Sequence, residues 1–117
     1  LMESEVTSHG DAAVAICQPH SPYRFQHVND SWCALCGFDQ EDVRGQTFSV
    51  LQGEKTDRRV AAQLVDHVKQ GQPCVARLVN YKQSGQPFLN EVSVVPCKRD
   101  GKIHAFKAVL TEVEMEV

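Results

Sequence analysis

Asn80 and Asn90 are the side chains whose type and spacing most suggest chemistry. Each sits in a segment of alternating apolar and polar residues, Cys74–Tyr81 and Pro87–Val95, with a glycine-containing turn, Lys82–Gln86, between them. If that hairpin centres on Gly85, Asn80 falls opposite Asn90, and alternation puts Leu78, Asn80, Asn90, Val92 and Val94 on one face. Phe106, Ala108 and Leu110 share a parity on a last strand and join them. That face is apolar except for the two carboxamides, and a buried amide left without a partner costs about 1–3 kcal/mol. Either a small planar heterocycle with donor and acceptor edges satisfies them, or they bond each other, the backbone or a buried water.

The other reactive groups are five cysteines: Cys17, Cys33, Cys36, Cys74 and Cys97. An odd count without a secretory signal points to a reducing compartment and free thiols. Cys33 and Cys36 form a lone C-x-x-C, but no second pair of ligands stands at matched spacing, so no metal site is assigned. Both are expected to enter the core as small hydrophobes. The histidines are scattered, and there is no G-x-S-x-G, no H-E-x-x-H and no phosphate-cradling glycine loop. Glu112, Glu114 and Glu116 read as a solvated edge. No catalytic residue is assigned, and the chain is not read as an enzyme.

The elements that must position the two amides follow from periodicity. Ala12–Cys17 and Arg24–Val28 read as strands joined by a proline-rich turn. Asn29 and Asp30 start a short helix that Gly37 ends, and Asp39–Val43 gives one more helical turn. Thr56 is expected to cap one long helix, with Asp57 favouring its positive end. Val60, Ala61, Leu64, Val65 and Val68 form its apolar stripe, and Gly71 stops it. Arg99-Asp100-Gly101 signals a hairpin between Pro87–Val95 and a last strand, Ile103–Val113. Strands at both ends with helices between them predict an α+β domain: a five-stranded antiparallel sheet with short helices and one longer helix covering one face.

At 117 residues the chain fits one domain. Residues 1–11 read as a lead-in, flexible or partner-dependent, and residues 12–115 as the domain. Leu1 precedes Met2, and the opening reads as a piece of something larger. A net charge of −3 offers no broad basic surface, so direct nucleic-acid contact is not expected. No apolar stretch is long enough to span a bilayer and none resembles a signal peptide, which suggests an intracellular place, cytoplasmic or nuclear, with no membrane contact.

The segment Gly45-Gln46-Thr47-Phe48-Ser49-Val50-Leu51-Gln52-Gly53 resembles the signature of LOV domains, the flavin-binding PAS domains of phototropins, which reads G-x-N-C-R-F-L-Q-G. Thr56-Asp57-Arg58 follows as the family's T-D-R does. The run from Asn80 to Asn90 looks like the family's N-Y-x-K-x-G-x-x-F-x-N hairpin, with its lysine shifted or replaced. The resemblance spans Ala12 to Val113 and implies the PAS fold. Asn29–Phe38 is also similar to the helix region of PAS domains on voltage-gated potassium channels of the EAG type, which bind no flavin and work through protein contacts.

Departures from the LOV pattern fall where its chemistry lies. By the resemblance, the photoreactive cysteine aligns with Phe48, the preceding asparagine with Thr47, and the two phosphate-binding arginines with Ser49 and Val65. The glutamine that senses flavin chemistry aligns with Leu110. Gln52, Asn80 and Asn90 remain as contacts, should a flavin-like ligand bind. Without a thiol at position 48 no cysteinyl adduct can form there, and without the arginines a phosphate loses its charge-assisted bonds. An inward Phe48 would fill part of the ring's space, or simply replace a core residue. The expectation is therefore a domain with no cofactor, with FMN or riboflavin kept as the alternative guest.

The opposite face of the sheet carries Val75, Val79, Tyr81, Val95 and Val109 among the polar residues Arg77, Glu91, Ser93 and Lys107. Valine suits any strand, but its recurrence on three strands of a face turned to water suggests an interface. The sequence is read as a LOV-like PAS regulatory module for protein contact or homodimerisation through that outer face, within a larger signalling or transcription-regulating protein. The alternative is a small-molecule or flavin sensor using non-adduct chemistry.

Overall fold

The computed structural model describes residues 12–115; the lead-in expected at 1–11 lies outside them. The chain runs β1 (Ala13–Cys17), β2 (Phe25–Val28), α1 (Asp30–Cys36), α2 (Gln40–Val43), a 3-10 turn (Phe48–Leu51), α3 (Arg58–Lys69), β3 (Cys74–Tyr81), β4 (Pro87–Arg99) and β5 (Lys102–Val113). The strands form one antiparallel sheet in the order β2-β1-β5-β4-β3. This is the expected five-stranded α+β architecture. The helices lie over one face of the sheet, and the main core sits between the two layers, around Trp32, Phe25, Phe88 and Leu51.

Local chemistry explains the element ends. Asn29 caps α1: its Oδ1 accepts from the Trp32 amide and also from the Val14 amide, both at 2.9 Å. One side chain thus starts the helix and fastens it to β1. Gly37 closes α1 at φ 84°, a conformation that other residues resist. The cap of α3 differs from expectation. Asp57, not Thr56, accepts from the Arg59 and Val60 amides. The Thr56 hydroxyl is engaged elsewhere, donating to the Val79 carbonyl at 2.6 Å and accepting from the Gly53 amide at 3.0 Å.

The β3–β4 register also differs from expectation. Asn80 pairs with Phe88 and Asn90 with Leu78, so the two amides are diagonal neighbours. The cause is the turn: the Lys82 amide bonds the Gln86 carbonyl, the Gly85 amide bonds the Lys82 carbonyl, and Gly85 has φ 90°. Gly85 therefore closes a three-residue loop and is not its centre. A shift of two residues keeps every side chain on its expected face. At the next hairpin Asp100 and Gly101 both take positive φ, and Arg99 pairs with Lys102 directly across the turn. β4 accordingly runs past its expected end at Val95. Its pairing with β3 stops at Val94, so Pro96 lies where the strand has a partner on one side alone.

Candidate functional site

Between sheet and helices lies a cavity of about 220 Å3. Its floor is the inner face of the sheet: Cys17, Leu78, Val92, Val94, Phe106 and Ala108. Ala61, Leu64, Val65 and Val68 of α3 form one wall, while Thr47, Phe48, Ser49 and Gln52 of the 3-10 turn and its flanks form another. Asn80 and Asn90 are the buried polar residues in it.

The two amides form a directed relay. The Leu51 carbonyl can only accept, so the Asn80 amide must present its NH2 group, which donates at 3.1 Å. Asn80 Oδ1 then accepts from Asn90 Nδ2 at 2.9 Å. That orientation leaves Asn90 Oδ1 buried with no hydrogen-bond partner among the described residues, on a side chain that is 0% exposed. A buried acceptor in that state costs about 1–3 kcal/mol. The cavity therefore offers one unfilled acceptor, set in apolar walls, to an N–H or O–H donor.

The relay is anchored through the segment after the 3-10 turn. Thr47 starts that turn, accepting from the Ser49 amide at 3.3 Å, and its hydroxyl meets the Ser49 hydroxyl at 2.7 Å. Thr56 ties the following loop to β3 as described. Tyr81 adds a second tie, its hydroxyl accepting from the Lys55 amide at 2.8 Å. The Tyr81 ring lies against Gly53, where any Cβ would collide with it. Gln52 turns its Oε1 toward Arg58 Nη1, 3.3 Å away.

The structure brings Thr47, Phe48, Ser49, Gln52, Val65, Asn80 and Asn90 to this one cavity. Leu110 lies in the core and does not line it. Phe48 packs edge-on against Phe25, with ring centroids 5.0 Å apart, and so occupies one side of the space without closing it. Sequence reasoning missed Cys17, Pro22 and Tyr23. The alternation Ala13, Ala15, Cys17 carries the signal for the first. For Tyr23 the sequence holds none, because the residue reaches the cavity through a φ of 62° and an edge contact with Phe106 at 5.7 Å. Burial pushes the Cys17 thiol up to about 12, so it is protonated at neutral pH.

On the outer face, Val75 and Val95 are 65% and 39% exposed, whereas Val79 and Val109 are half-buried. Tyr81 curls over the sheet edge to the loop at Gly53. Arg77 and Glu91 pair across strands at 2.9 Å on the same face. Among the described residues no three His, Cys, Asp or Glu side chains gather as metal ligands, and no helix is long and apolar enough to cross a membrane.

A family model described as PAS domain matches residues 11–114. The chain is 33% identical over 88 residues to phototropin-2 of Oryza sativa subsp. japonica, covering 74% of this chain and 10% of that protein. It is 32% identical over 104 residues to blue-light-activated histidine kinase 1 of Erythrobacter litoralis, covering 87% of this chain and 29% of that one. The voltage-gated inwardly rectifying potassium channel KCNH2 of Sus scrofa is 35% identical over 83 residues, 68% of this chain and 7% of the channel. The chain thus spans less than a third of each of these relatives. A solved light-oxygen-voltage domain, described in connection with a flavin analogue, superposes with a TM-score of 0.88 at 19% identity, over 94% of this chain and 83% of that one.

These likenesses overturn the expectation of a domain with no cofactor. One relative is blue-light-activated by name, and the neighbouring fold is described with a flavin analogue. The physical reason for the error is that altered contacts at positions 47, 48, 49, 65 and 110 were equated with a closed site. Phe48 instead stacks aside on Phe25, and the cavity stays open around an unpartnered acceptor.

Proposed function

Because the chain belongs to the PAS domain family, we propose that it is a sensor module holding a planar heterocycle of the flavin class, without a covalent bond, between sheet and helices. The observation that carries this reading is Asn90 Oδ1, a fully buried acceptor without a partner on the wall of an apolar cavity. The imide edge of a flavin supplies an N–H donor beside carbonyl acceptors, which matches an exposed acceptor next to amide N–H groups. Apolar walls from Leu78, Val92, Leu64 and Phe106 suit the faces of the ring. Phe48 stands where a thiol would be needed for a cysteinyl adduct, so the signal in this reading is occupancy or redox state of the ligand. The domain itself performs no turnover; the flavin would supply the redox chemistry when bound.

The output in this reading is protein contact through the outer face of the sheet. Val75 and Val95 are large apolar side chains left in water there, at 65% and 39% exposure. A second copy of the domain is the occupant we assign: the exposed valines flank the Arg77–Glu91 pair, which carries both signs of charge and can meet its own twofold copy. Light scattering across a concentration series should give a dimer that Val75→Glu with Val95→Glu converts to a monomer. A wild-type monomer at every concentration would remove this part of the proposal.

The central test is titration of the purified domain with riboflavin, followed by flavin fluorescence and by heat. Saturable one-to-one binding that Asn90→Leu abolishes is the expected result. Binding unaffected by that substitution would show that the ligand, if any, sits elsewhere.

A further inference from the structure

We infer that the cavity selects a flavin without a phosphate, riboflavin or a shorter-tailed analogue, over the phosphorylated forms. The inference rests on the reading just given and adds the chemistry of the ligand's tail.

Exposure grades along the cavity and gives it a direction. Asn90, at 0% exposed, marks its deep end, and Val65, at 39%, marks its mouth together with exposed Pro22 and Ser49. A ring satisfied at Asn90 therefore sends its tail out past Val65, Pro22 and Ser49. No Lys, Arg, His, Asp or Glu lines the cavity at any depth. A phosphate at the mouth would meet an apolar valine, a proline, and a serine hydroxyl already bonded to Thr47 at 2.7 Å. None of these provides the charge-assisted bonds that compensate for taking a phosphate out of water. A polyol tail loses nothing at such a mouth, because its hydroxyls can use Thr47, Ser49 and water alike.

The cation bonded to the cavity wall is Arg58, which contacts Gln52 at 3.3 Å and does not itself line the space. Its guanidinium already donates to the Gln52 carbonyl oxygen. The whole chain carries −3, which opposes a phosphate dianion further. Val65 is thus the selectivity residue, and its position on the exposed flank of α3 means that a charged replacement can stay in water.

The test compares riboflavin, lumiflavin and FMN on the wild type and on Val65→Arg and Arg58→Gln. Riboflavin should bind at least as tightly as FMN to the wild type. Val65→Arg should tighten FMN roughly tenfold, the size of one charge-assisted bond, and leave riboflavin unchanged. Arg58→Gln should change neither. FMN binding tenfold tighter than riboflavin to the wild type, or a loss of FMN affinity alone in Arg58→Gln, would overturn the selectivity while leaving the sensor reading intact. Uptake of none of the three flavins would overturn the sensor reading itself, and this inference with it. Riboflavin affinity in each variant doubles as the check that the domain is folded.

Discussion

Asn90 donates to Asn80 at 2.9 Å although neither residue faces the other across the β3–β4 ladder. The bond is a diagonal one, and it joins a core strand to the Leu51 carbonyl through a single intervening amide. Replacing Asn80 by Leu strands two partners at once, the Leu51 oxygen and the Asn90 NH2 group. That variant should lose about 2 kcal/mol in urea unfolding. Replacing both amides by Leu removes the stranded Asn90 groups, including the acceptor that is already unpartnered, and should cost less than Asn80→Leu alone. A double variant less stable than the sum of the singles would mean that the amides do not act as a relay.

The faces of this sheet were legible in the sequence because side-chain parity survives a register shift of two. The amides stayed inward and together even though the turn was centred wrongly. The end of β4 was not legible: Pro96 stops a strand that is paired on both sides, and its tolerance here depends on β3 having ended at Val94. Thr56 illustrates a second limit. A threonine before Asp57 reads as a cap, but its hydroxyl is drawn to the Val79 carbonyl by a contact 23 residues away that no local rule contains. The cavity was the least legible feature of all. Whether Phe48 fills or flanks it depends on the placement of Phe25, and aromatic packing of that kind leaves no periodic trace.

Gly53 and Tyr81 should be energetically coupled. A methyl group at position 53 meets the Tyr81 ring, and that ring is held by its hydroxyl's bond with the Lys55 amide. Gly53→Ala should therefore cost about 1–3 kcal/mol, the usual range for overpacking. In a Tyr81→Leu background the same change should cost clearly less, because the ring that resists the methyl is gone. Equal costs in the two backgrounds, read from denaturant melts, would place the constraint elsewhere in the loop.

Alkaline pH should destabilise the domain through two thiols. Burial raises Cys17 and Cys36 from 9.0 to about 12. The folded state thus keeps protons that the unfolded state releases above about pH 9. The stabilisation from each neutral thiol is complete below the unfolded value of 9.0 and is lost as pH rises toward about 12. Between those limits stability should fall by about 1.4 kcal/mol per pH unit for each thiol. Unfolding midpoints measured across that range should flatten in Cys17→Ala and again in Cys17→Ala with Cys36→Ala. An unchanged slope in both variants would assign the alkaline loss to other groups.

Phe48 decides what light can do to a bound flavin. A covalent adduct needs a thiol against the ring, and position 48 offers a phenyl group that rests on Phe25 at a 69° interplanar angle. Cys17 is the thiol on the cavity's lining, but it belongs to the sheet floor and is fully protonated at neutral pH. Blue light on the riboflavin-loaded wild type should therefore leave no covalently bleached flavin that recovers in the dark. Phe48→Cys removes the phenyl group and puts a thiol on the wall that faces the ring, so bleaching with dark recovery should appear in that variant alone. Reversible bleaching in the wild type, abolished by Cys17→Ala, would instead make the floor cysteine the reactive group and end the non-covalent reading.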